Sequence, residues 1–451
     1  MNEIEKDIYI SKLIATKVCE LGGKAYYVGG YVRDKILKKE NKDIDIEIHG
    51  VTPKQLENIL DNIGERIEIG ESFGIYNLKG YNIDIAMPRK ESVKGVGHKD
   101  FDIFVDPYIG TYSAALRRDF TINALMEDVL SGEIIDHFGG VKDINKKVIR
   151  HVNNDSFKED PLRVLRACQF ASRFEFNISK ETISICKKID ISTLSKERIE
   201  SELKKALLKA KKPSIFFEYL REMNQLDYWF KEIKDLIGVK QNPKYHAEGD
   251  VWNHTMMVLN EGAKKRNKTK EPYMFMLSCL VHDLGKIVST KIIDGSIKSY
   301  GHELEGIYLV KEFIKRLTNE RKVLTYTTNM TKLHMKPHAL TSSSSVKAYN
   351  KMFDECEEPC DLIYLSICDN LGKICKIEYT SKEDILFKHL DIYNEYMSRP
   401  YVTGNDLISN GITPNEKFKE ALNFAHKLRL VGVNKEQALK ETLAYYKKIN
   451  K

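Results

Sequence analysis

The chain has 451 residues, of which 42% are apolar and 30% are charged, and its formal net charge is +7. This composition is ordinary for a soluble protein of three or four domains, and the small positive charge permits a polyanionic partner without establishing one. No apolar run approaches the ~18 residues that a membrane helix needs, and the first residues lack the apolar segment of a signal peptide. Because the eight cysteines are also scattered, we expect a cytoplasmic protein with reduced thiols and no membrane association.

The first predicted elements surround a pair of glycines. Apolar spacing predicts a helix over residues 4 to 21, and the next apolar run predicts a strand that ends at Val28. Gly29 and Gly30 then form a turn, and a short helix that carries Arg33 follows. The turn leaves this end of the strand open to a ligand backbone or a phosphate.

Two aspartates alternate with isoleucines on the second predicted strand. Because successive side chains of a strand point to opposite faces, Asp43 and Asp45 share one face while Ile44 and Ile46 enter the core. Mg²⁺ prefers carboxylate and phosphate oxygens, and paired ions about 3.5–4 Å apart can activate a hydroxyl and stabilise departing pyrophosphate. Most isolated DxD pairs are only solvated surface residues, so the combination with the glycine turn carries the prediction.

The string GGYVRD followed by DID resembles the head domain of class II nucleotidyltransferases in the polymerase beta superfamily. This group contains the bacterial CCA-adding enzymes and poly(A) polymerases. The resemblance implies an α/β polymerase-beta-like nucleotidyltransferase head in which Asp43 and Asp45 are catalytic and hold Mg²⁺. It also implies that Gly29, Gly30 and Arg33 approach the triphosphate of a bound nucleotide.

The remainder of the head is predicted to mix helices and strands. Threonine, proline and glutamine at 52, 53 and 55 predict a helix start, and short β-rich runs follow up to Pro88. The segment 88–104 is glycine-rich and charged without a clear period, which predicts a surface loop. In the resembled family the corresponding loop helps the switch from C to A addition, so the same role is implied here.

In the segment LRRDFTINALMEDV, residues 116–129, an amphipathic helix is predicted to follow the two arginines. Arg117 and Arg118 offer a fork for triphosphate oxygens, and Asp119 and Asn123 lie four residues apart on one predicted face. A charged helix start is the alternative interpretation. The string RRDFTINAL matches a motif of the resembled family, which implies that these four residues contact the nucleotide.

The segment FKEDPLRVLRACQFASRF predicts a helix over residues 157–174, with Leu162, Leu165, Ala167 and Phe170 on its buried side. Asp160 and Arg163 form either an intrahelical ion pair or a device that accepts from and donates to the edges of cytosine and adenine. EDPLRVLR matches the EDxxR motif of the family, which implies the second role and adds Arg166 to the nucleotide-binding set. Helix-rich, basic residues follow up to about 240, and their lysines either form a solvated face or meet RNA phosphates.

Six of the twelve histidines fall between residues 246 and 338, and they form a second group of candidate functional residues. His254, His282, Asp283 and Asp369, together with His302, resemble the HD phosphohydrolase superfamily. The resemblance implies that the first four are metal ligands and that His302 orients a phosphate or supports a second metal. Imidazole and carboxylate donors suit Ni, Mn, Fe or Zn better than Mg alone. A purely structural role for these residues is the alternative.

These observations predict an α/β polymerase-beta-like head followed by a mostly α-helical body that includes an HD domain. The expected domains are a head at 1–140, a helical nucleotide-selection and tRNA-binding region at 141–240, an HD domain at 241–395 and a helical tail at 396–451. The resemblance implies addition of the 3′-terminal CCA of tRNA from CTP and ATP by a monomer or homodimer, and hydrolysis of phosphate monoesters or 2′,3′-cyclic phosphates. Alternatives are a poly(A) polymerase, a CC-adding enzyme, or an HD phosphohydrolase with an RNA-binding head.

Overall fold

The structure, a computed structural model, describes residues 2–68, 74–93, 101–375 and 381–450. The chain divides into two compact units, Met1–Arg198 with Ile215–Gln225 and Ile199–Ser214 with Leu226–Lys451. A mixed α/β head followed by mostly helical structure confirms the predicted fold class. The four predicted domains are a finer division than these two units and stay a prediction.

A seven-stranded mixed sheet organises the first unit. The strands of the chain are β1 Lys24–Val28, β2 Ile44–His49, β3 Arg66–Glu68, β4 Ile75–Leu78, β5 Ile83–Ala86, β6 Arg89–Val93, β7 Phe101–Val105, β8 Met126–Asp128, β9 Ile134–Ile135, β10 Val148–Ile149, β11 Asn177–Ile178, β12 Lys291–Ile293 and β13 Ser296–Lys298. The sheet has the order β3-β4-β5-β2-β1-β8-β9, while β6–β7, β10–β11 and β12–β13 form separate pairs. In the sheet, β2 is antiparallel to β1 and parallel to β5.

Helices make up most of the remaining chain. They are α1 Glu3–Glu20, α2 Gly30–Ile36, α3 Pro53–Asp61, α4 Gly110–Leu116, α5 Gly140–Lys146, α6 Asn154–Glu159, α7 Leu162–Phe174, α8 Lys180–Cys186, α9 Lys196–Lys209, α10 Ser214–Glu222, α11 Lys231–Lys234, α12 Val251–Lys265, α13 Pro272–Val281, α14 Lys286–Ser289, α15 His302–Glu305, α16 Ile307–Leu317, α17 Arg321–Leu333, α18 Lys336–Ala339, α19 Val346–Asp354, α20 Pro359–Leu371, α21 Glu383–Ser398, α22 Gly404–Ser409, α23 Phe418–Arg429 and α24 Lys435–Ile449. The helices between residues 180 and 234 confirm the helix-rich character predicted for that stretch.

Local sequence signals place the first helices as predicted. Helix α1 ends just before Gly22, whose positive φ of 82° suits glycine. Helix α3 starts with a capping box in which the Thr52 side chain accepts from the backbone N–H of Gln55, while the Gln55 side chain accepts from Thr52. The alternation of residue types along β2 is a local signal of the same kind. Its isoleucines at every second position, Ile44, Ile46 and Ile48, are all buried.

The helix predicted to follow Arg118 within the segment 116–129 is wrong. Helix α4 ends at Leu116, a single 3-10 turn spans Thr121–Asn123, and β8 begins at Met126. Phe120 has extended backbone angles, with φ −128° and ψ 151°, and its side chain is fully buried. Since the apolar side chains of this segment are buried on all sides and Met126 pairs with β1, tertiary packing overrides the helical spacing.

The predicted helix over residues 157–174 is broken into α6 and α7. Pro161 has no backbone N–H and disfavours helical angles for the residue before it, so Asp160 is extended with φ −122° and ψ 102°. The apolar face of α7 is otherwise close to the prediction, because Leu165, Ala167 and Phe170 are buried. Leu162 is only partly buried.

The predicted loop over residues 88–104 contains paired strands. β6 and β7 pair antiparallel from Arg89↔Val105 to Val93↔Phe101, so the loop prediction is wrong for these residues. β7 is rich in β-branched and aromatic residues, which favour strands, whereas β6 has only Val93 of this kind. The intervening residues 94–100 lie outside the described residues, and the implied role in the C-to-A switch stays a prediction.

Helices α12, α13 and α20 contact one another in the second unit. All side chains from Met274 to Val281 of α13 are buried, as expected for a helix that is apolar on every side. A separate apolar cluster near the C-terminus contains Leu407, Ile412, Ala421 and Tyr446. Across the described ranges, none of the helices combines the length and apolarity needed to cross a membrane.

Candidate functional sites

Three carboxylates lie together where β2 and β5 run side by side. Asp45 lies opposite Asp84 in the parallel register of these strands. Asp43 directly precedes β2, and its carboxylate accepts a hydrogen bond of 3.2 Å from Asn82 Nδ2. Burial raises the pKa of Asp45 to about 6, and the negative charges of Asp84 and Asp43 act in the same direction. We call these three residues the aspartate site; a cation bound there would relieve the repulsion among them.

Gly29 lies between the aspartate site and an arginine. Its backbone has φ 65° and ψ −125°, angles that residues with a Cβ rarely adopt. A Cβ at this position would lie 3.0 Å from Arg118 Nη1 and 3.8 Å from Asp45 Oδ2. At Gly30 a Cβ would lie 3.5 Å from Arg33 Nη2. The glycine turn therefore allows a guanidinium group and a carboxylate to approach the same backbone.

The side chain of Arg118 is held by the buried carboxylate of Glu47. Its Nη2 lies 3.1 Å from Glu47 Oε2, and the other Glu47 oxygen lies 2.9 Å from His49 Nε2. Burial would raise the pKa of Glu47, but the hydrogen bond with His49 and the charge of Arg118 lower it to about 2. Because Arg118 remains partly exposed, its guanidinium is fixed in direction and still available to an anionic ligand.

A buried network joins four of the predicted nucleotide-binding residues. Arg33 Nη1 donates to Asn123 Oδ1 at 2.6 Å, and Asn123 Nδ2 donates to Asp119 Oδ1 at 3.0 Å. Arg166 Nε donates to the other oxygen of Asp119 at 2.8 Å. Arg33 is buried, with its guanidinium 4.7 Å from the ring centroid of Phe174. The buried guanidinium of Arg33 therefore fixes the position of the Asn123 side chain.

Asp160 and Arg163 of the EDxxR motif both contact other groups of the protein. The Asp160 carboxylate lies 2.9 Å from Arg198 Nη2 and accepts from the backbone N–H of Leu162. Arg163 donates to the carbonyl oxygens of Ser156 at 2.7 Å and Arg117 at 2.8 Å. The motif arginine is thus tied to the backbone of the RRDFTINAL segment, which links two nucleotide-binding predictions physically.

The second site lies in the second unit and gathers histidines around Asp283. His254 on α12, His282 and Asp283 after α13, and Asp369 on α20 lie close together, and their role as metal ligands stays a prediction. His254 Nε2 lies 3.1 Å from Asp369 Oδ1 and 3.4 Å from Asp283 Oδ2, and His282 Nε2 lies 3.3 Å from Asp283 Oδ2. We call these four residues, with His302 and His334, the histidine–aspartate cluster.

The donor atoms of this cluster suit a metal ion better than a network of hydrogen bonds. The Nε2 atoms of His254 and His282 are buried and have no partner in hydrogen-bond geometry. Burial opposes ionisation of Asp283, but Lys286 and His282 hold the pKa of its carboxyl well below the usual range. Lys286 Nζ lies 2.7 Å from Asp283 Oδ2. Ionised carboxylates and bare imidazole nitrogens that converge in this way are typical of a metal site.

Further polar residues contact the cluster, and a cavity adjoins it. Glu248 Oε1 lies 2.7 Å from His246 Nδ1 and 3.4 Å from His254 Nδ1. Lys373 Nζ lies 2.9 Å from Asp369 Oδ1. A cavity of about 800 Å³ adjoins the cluster, and its lining includes Asp283, Lys286, Tyr300, His302, Asp369 and Lys373. The cavity has room for a substrate larger than inorganic phosphate.

Sequence reasoning missed several residues of both sites. Asp84 lies in a motif, IDIA, with the same alternation as DID, but only the pairing of β2 with β5 brings it to Asp45. Glu47 lies two residues after Asp45 on β2 and so extends the same alternation of acidic residues and isoleucines. His334 lies in the histidine-rich stretch 246–338 but received no role from the sequence, and its position beside His302 depends on how α15 and α17 pack. Arg198 had no sequence signal.

Two family descriptions match parts of the chain. The description "Poly A polymerase head domain" matches residues 25–150, and "Probable RNA and SrmB- binding site of polymerase A" matches residues 175–237. The Multifunctional CCA protein of Actinobacillus pleuropneumoniae serotype 5b (strain L20) is 32% identical over 363 residues, which cover 77% of this chain and 85% of that protein.

Solved structures share the fold along nearly the whole chain. A CCA-adding enzyme in complex with CTP has a TM-score of 0.65 at 22% identity, covering 98% of each chain. The Thermotoga maritima CCA-adding enzyme complexed with tRNA_CCA has a TM-score of 0.62 at 20% identity, again covering 98% of each chain. At these identities the likeness concerns the fold alone.

Proposed function

The chain belongs to the family of the multifunctional CCA proteins, and from this premise we propose that it builds or repairs the 3′-terminal CCA of tRNA from CTP and ATP. One observation carries the proposal: the aspartate site faces the anchored guanidinium of Arg118 across the glycine turn at Gly29. Carboxylates for metal ions beside a fixed cation for phosphates are the parts that nucleotidyl transfer needs. The proposed partners are the tRNA 3′ end, CTP and ATP, and the proposed location is the cytoplasm.

Asp43 and Asp45, with Asp84 beside them, would hold Mg²⁺. Burial, followed by the negative charges of Asp84 and Asp43, raises the pKa of Asp45 to about 6. The fit is supported by the part of this effect that comes from the neighbouring carboxylates, because a bound cation would offset their repulsion. Bound Mg²⁺ would assist deprotonation of the attacking hydroxyl and stabilise pyrophosphate. In the reaction the 3′-oxygen of tRNA forms a bond to the α-phosphorus of the nucleotide, and the bond from that phosphorus to pyrophosphate breaks.

The chain's own residues would bind and orient the nucleotide. Arg118, held by Glu47, would bind triphosphate oxygens, and the turn at Gly29 and Gly30 would let the backbone approach them. Asn123, positioned by Arg33, would meet the sugar. Asp119 and Arg166 would keep this network in place, since the buried Asp119 carboxylate accepts hydrogen bonds from both Asn123 and the partly exposed Arg166. Arg117 would bring a further positive charge close to the phosphates.

Asp160 and Arg163 would select the base. Cytosine and adenine both present an amine donor beside a ring-nitrogen acceptor, which a carboxylate and a guanidinium can match, whereas uracil and guanine would leave these groups unpaired. Arg198 holds Asp160 and the carbonyl oxygens of Ser156 and Arg117 hold Arg163. We propose that a bound nucleotide takes over part of these interactions.

A second activity is proposed at the histidine–aspartate cluster, namely hydrolysis of phosphate monoesters or 2′,3′-cyclic phosphates. The observation that favours it is the convergence of bare, buried Nε2 atoms of His254 and His282 on ionised Asp283. His254, His282, Asp283 and Asp369 would hold Ni, Mn, Fe, Zn or Mg, and the bound metal would supply an activated water. Lys286 and Lys373 would contact the substrate phosphate in the adjoining cavity.

A paired experiment tests both proposals. The wild-type chain is assayed for incorporation of labelled CTP and ATP into tRNA transcripts, and separately for release of phosphate from 3′-AMP after loading with Mn²⁺ or Ni²⁺. We expect both activities, with the second lost in Asp283→Ala and the first retained. Absence of incorporation in a folded wild-type chain would refute the first proposal and favour a phosphohydrolase with an RNA-binding head. Absence of hydrolysis of 3′-AMP and, in a parallel assay, of 2′,3′-cyclic AMP, with both Mn²⁺ and Ni²⁺, would refute the second.

A further inference from the structure

Two exposed tyrosines line the cavity beside the histidine–aspartate cluster. Tyr300 is 70% exposed and Tyr245 is 45% exposed, and both belong to the wall of this cavity. We call them the rim tyrosines. A metal ion and a phosphate need charged and polar groups, whereas aromatic surface suits an apolar or aromatic part of a ligand. The rim tyrosines therefore indicate a substrate that extends beyond its phosphate.

The backbone fixes Tyr300 next to the cluster. Tyr300 lies two residues after β13 and two residues before the buried His302. The preceding residue, Ser299, is held on both sides, because its hydroxyl lies 2.8 Å from Thr290 Oγ1 and its carbonyl oxygen lies 2.8 Å from His302 Nδ1. Gly301 then turns the chain with φ 72°. Tyr300 is thus placed at the cavity by the same segment that places His302 in the cluster.

Tyr245 comes from a different part of the chain and lines the same cavity. It lies in a turn in which the backbone N–H groups of Tyr245 and His246 both donate to the carbonyl oxygen of Asn242 at 3.0 Å. The ring of His246 lies 2.7 Å from the carboxylate of Glu248, which also contacts His254 of the cluster. Both rim tyrosines are therefore held by neighbours that contact the cluster or belong to it.

We propose that the rim tyrosines form a nucleobase subsite, with Tyr300 as the main stacking surface, and that the substrate of this cavity is a nucleotide. Its phosphate would lie at the cluster and its base against the rim tyrosines. This inference rests on the proposed phosphohydrolase activity and names its substrate class. Because every base has an aromatic face, stacking on tyrosine distinguishes nucleotides from phosphate esters that lack a base.

The size and the charges of the cavity fit a nucleotide. Its volume of about 800 Å³ lies in the range of pockets that bury ligands of this size. Two of its lysines, Lys286 and Lys373, contact carboxylates of the cluster at 2.7 and 2.9 Å. A third, Lys298, lies beside the aromatic end instead, with its Nζ 5.6 Å from the ring centroid of Tyr300. Since Tyr300 is 70% exposed despite this contact, ring surface remains for a base.

The test compares two substrates that differ only in the base. The full-length chain is loaded with Mn²⁺, and kcat/KM is measured for 2′,3′-cyclic AMP and for 1-O-methylribose 2,3-cyclic phosphate. Tyr300→Ala should lower kcat/KM for the nucleotide by about 5- to 150-fold, the range for loss of one base–aromatic stack. It should leave kcat/KM for the substrate without a base unchanged, because the cluster stays intact. Tyr245→Ala should act in the same direction.

Two further variants serve as controls. Tyr300→Phe retains the ring and should behave like wild type on both substrates. Tyr308 on α16 is 53% exposed but does not belong to the described residues that line the cavity, so Tyr308→Ala should change neither value.

Adenosine, which has a base and no phosphate, gives a second measurement. It should inhibit hydrolysis of the methylribose substrate competitively in wild type, and its inhibition constant should rise by about 5- to 150-fold in Tyr300→Ala.

Three results would contradict the inference, and they can be told apart. If neither Tyr300→Ala nor Tyr245→Ala changes the ratio of kcat/KM for the two substrates, the base subsite is overturned and the phosphohydrolase site stands. Equal loss of both substrates in a Tyr300→Ala protein that circular dichroism shows to be folded would also overturn the subsite, because Tyr300 would then only support His302. No hydrolysis of either substrate by the wild-type chain would overturn the proposed phosphohydrolase site itself.

Discussion

Replacing Gly29 with alanine should weaken nucleotide binding through a contact that the structure defines. The backbone of Gly29, with φ 65° and ψ −125°, lies in a region that costs an alanine about 1–3 kcal/mol. The new Cβ would also lie 3.0 Å from Arg118 Nη1, so the guanidinium must move. Arg118 is held by Glu47, and its movement would weaken a charge-assisted hydrogen bond to a triphosphate. Such a bond is worth about 1.5–3 kcal/mol, which corresponds to about 10- to 100-fold in kcat/KM.

Gly22→Ala provides a matched control. Gly22 also has a positive φ, 82°, but a Cβ there would meet nothing within 4 Å. Both variants should therefore lose stability, by about 2–4 °C in Tm for each kcal/mol of strain. Only Gly29→Ala should lower kcat/KM for CTP and ATP. The assay is the initial rate of incorporation into a tRNA transcript at several nucleotide concentrations, together with a thermal melt of each variant.

The reasoning would be refuted by a folded Gly29→Ala protein with the kcat/KM of wild type. It would also be refuted if Gly22→Ala lowered kcat/KM to the same extent, because general destabilisation would then explain both. Gly29→Ser should behave like the alanine variant, since any Cβ meets the same guanidinium. A further double variant, Gly29→Ala with Arg118→Ala, should be no worse than Arg118→Ala by itself if the two act through one contact.

Asp43→Ala should abolish nucleotide incorporation and leave phosphohydrolysis unchanged, because the two proposed sites lie in different compact units; equal loss of both activities in a folded variant would contradict the two-site account. Arg163→Ala should relax the choice of C and A by about 10-fold or more, measured as incorporation of UTP and GTP, because the unpaired group that rejects these bases is removed. Unchanged discrimination would disprove the base-selection role. Glu248→Gln should lower metal affinity at the histidine–aspartate cluster by about 10- to 100-fold in a chelator competition, since the carboxylate faces the Nδ1 side of His254. Wild-type affinity would show that Glu248 does not support this ligand.

Short-range patterns predicted the parts of the head that depend on neighbouring residues. The alternation around Asp43 and Asp45 predicted both the strand and the face of the carboxylates, because a strand has a fixed period of two. The capping residues Thr52 and Gln55 predicted a helix start for a similar local reason. Asp84, the carboxylate that the sequence analysis did not assign to the site, lies in a run with an equally clear alternation. Its role depends on a parallel pairing between strands about forty residues apart, which no local pattern contains.

The errors occurred where tertiary contacts override spacing. Residues 116–129 have a helical pattern, but burial of Phe120 on all sides and pairing of Met126 with β1 produce a turn and a strand. The break at Pro161 was readable from the sequence, because proline disfavours helical angles at Asp160. The sequence predicted that His254, His282, Asp283 and Asp369 act together, and their role as metal ligands stays a prediction. The position of His334 beside His302 depended on how α15 and α17 pack, which no local pattern contains.

The most direct test of the proposed function uses tRNA transcripts that end at the discriminator base. They are incubated with the full chain, Mg²⁺ and CTP, ATP or both, and the products are resolved at single-nucleotide length. The account predicts two additions with CTP alone and three with the mixture. A long ladder with ATP would identify a poly(A) polymerase, and two additions that never become three would identify a CC-adding enzyme. No addition by the folded wild-type chain would contradict the central claim.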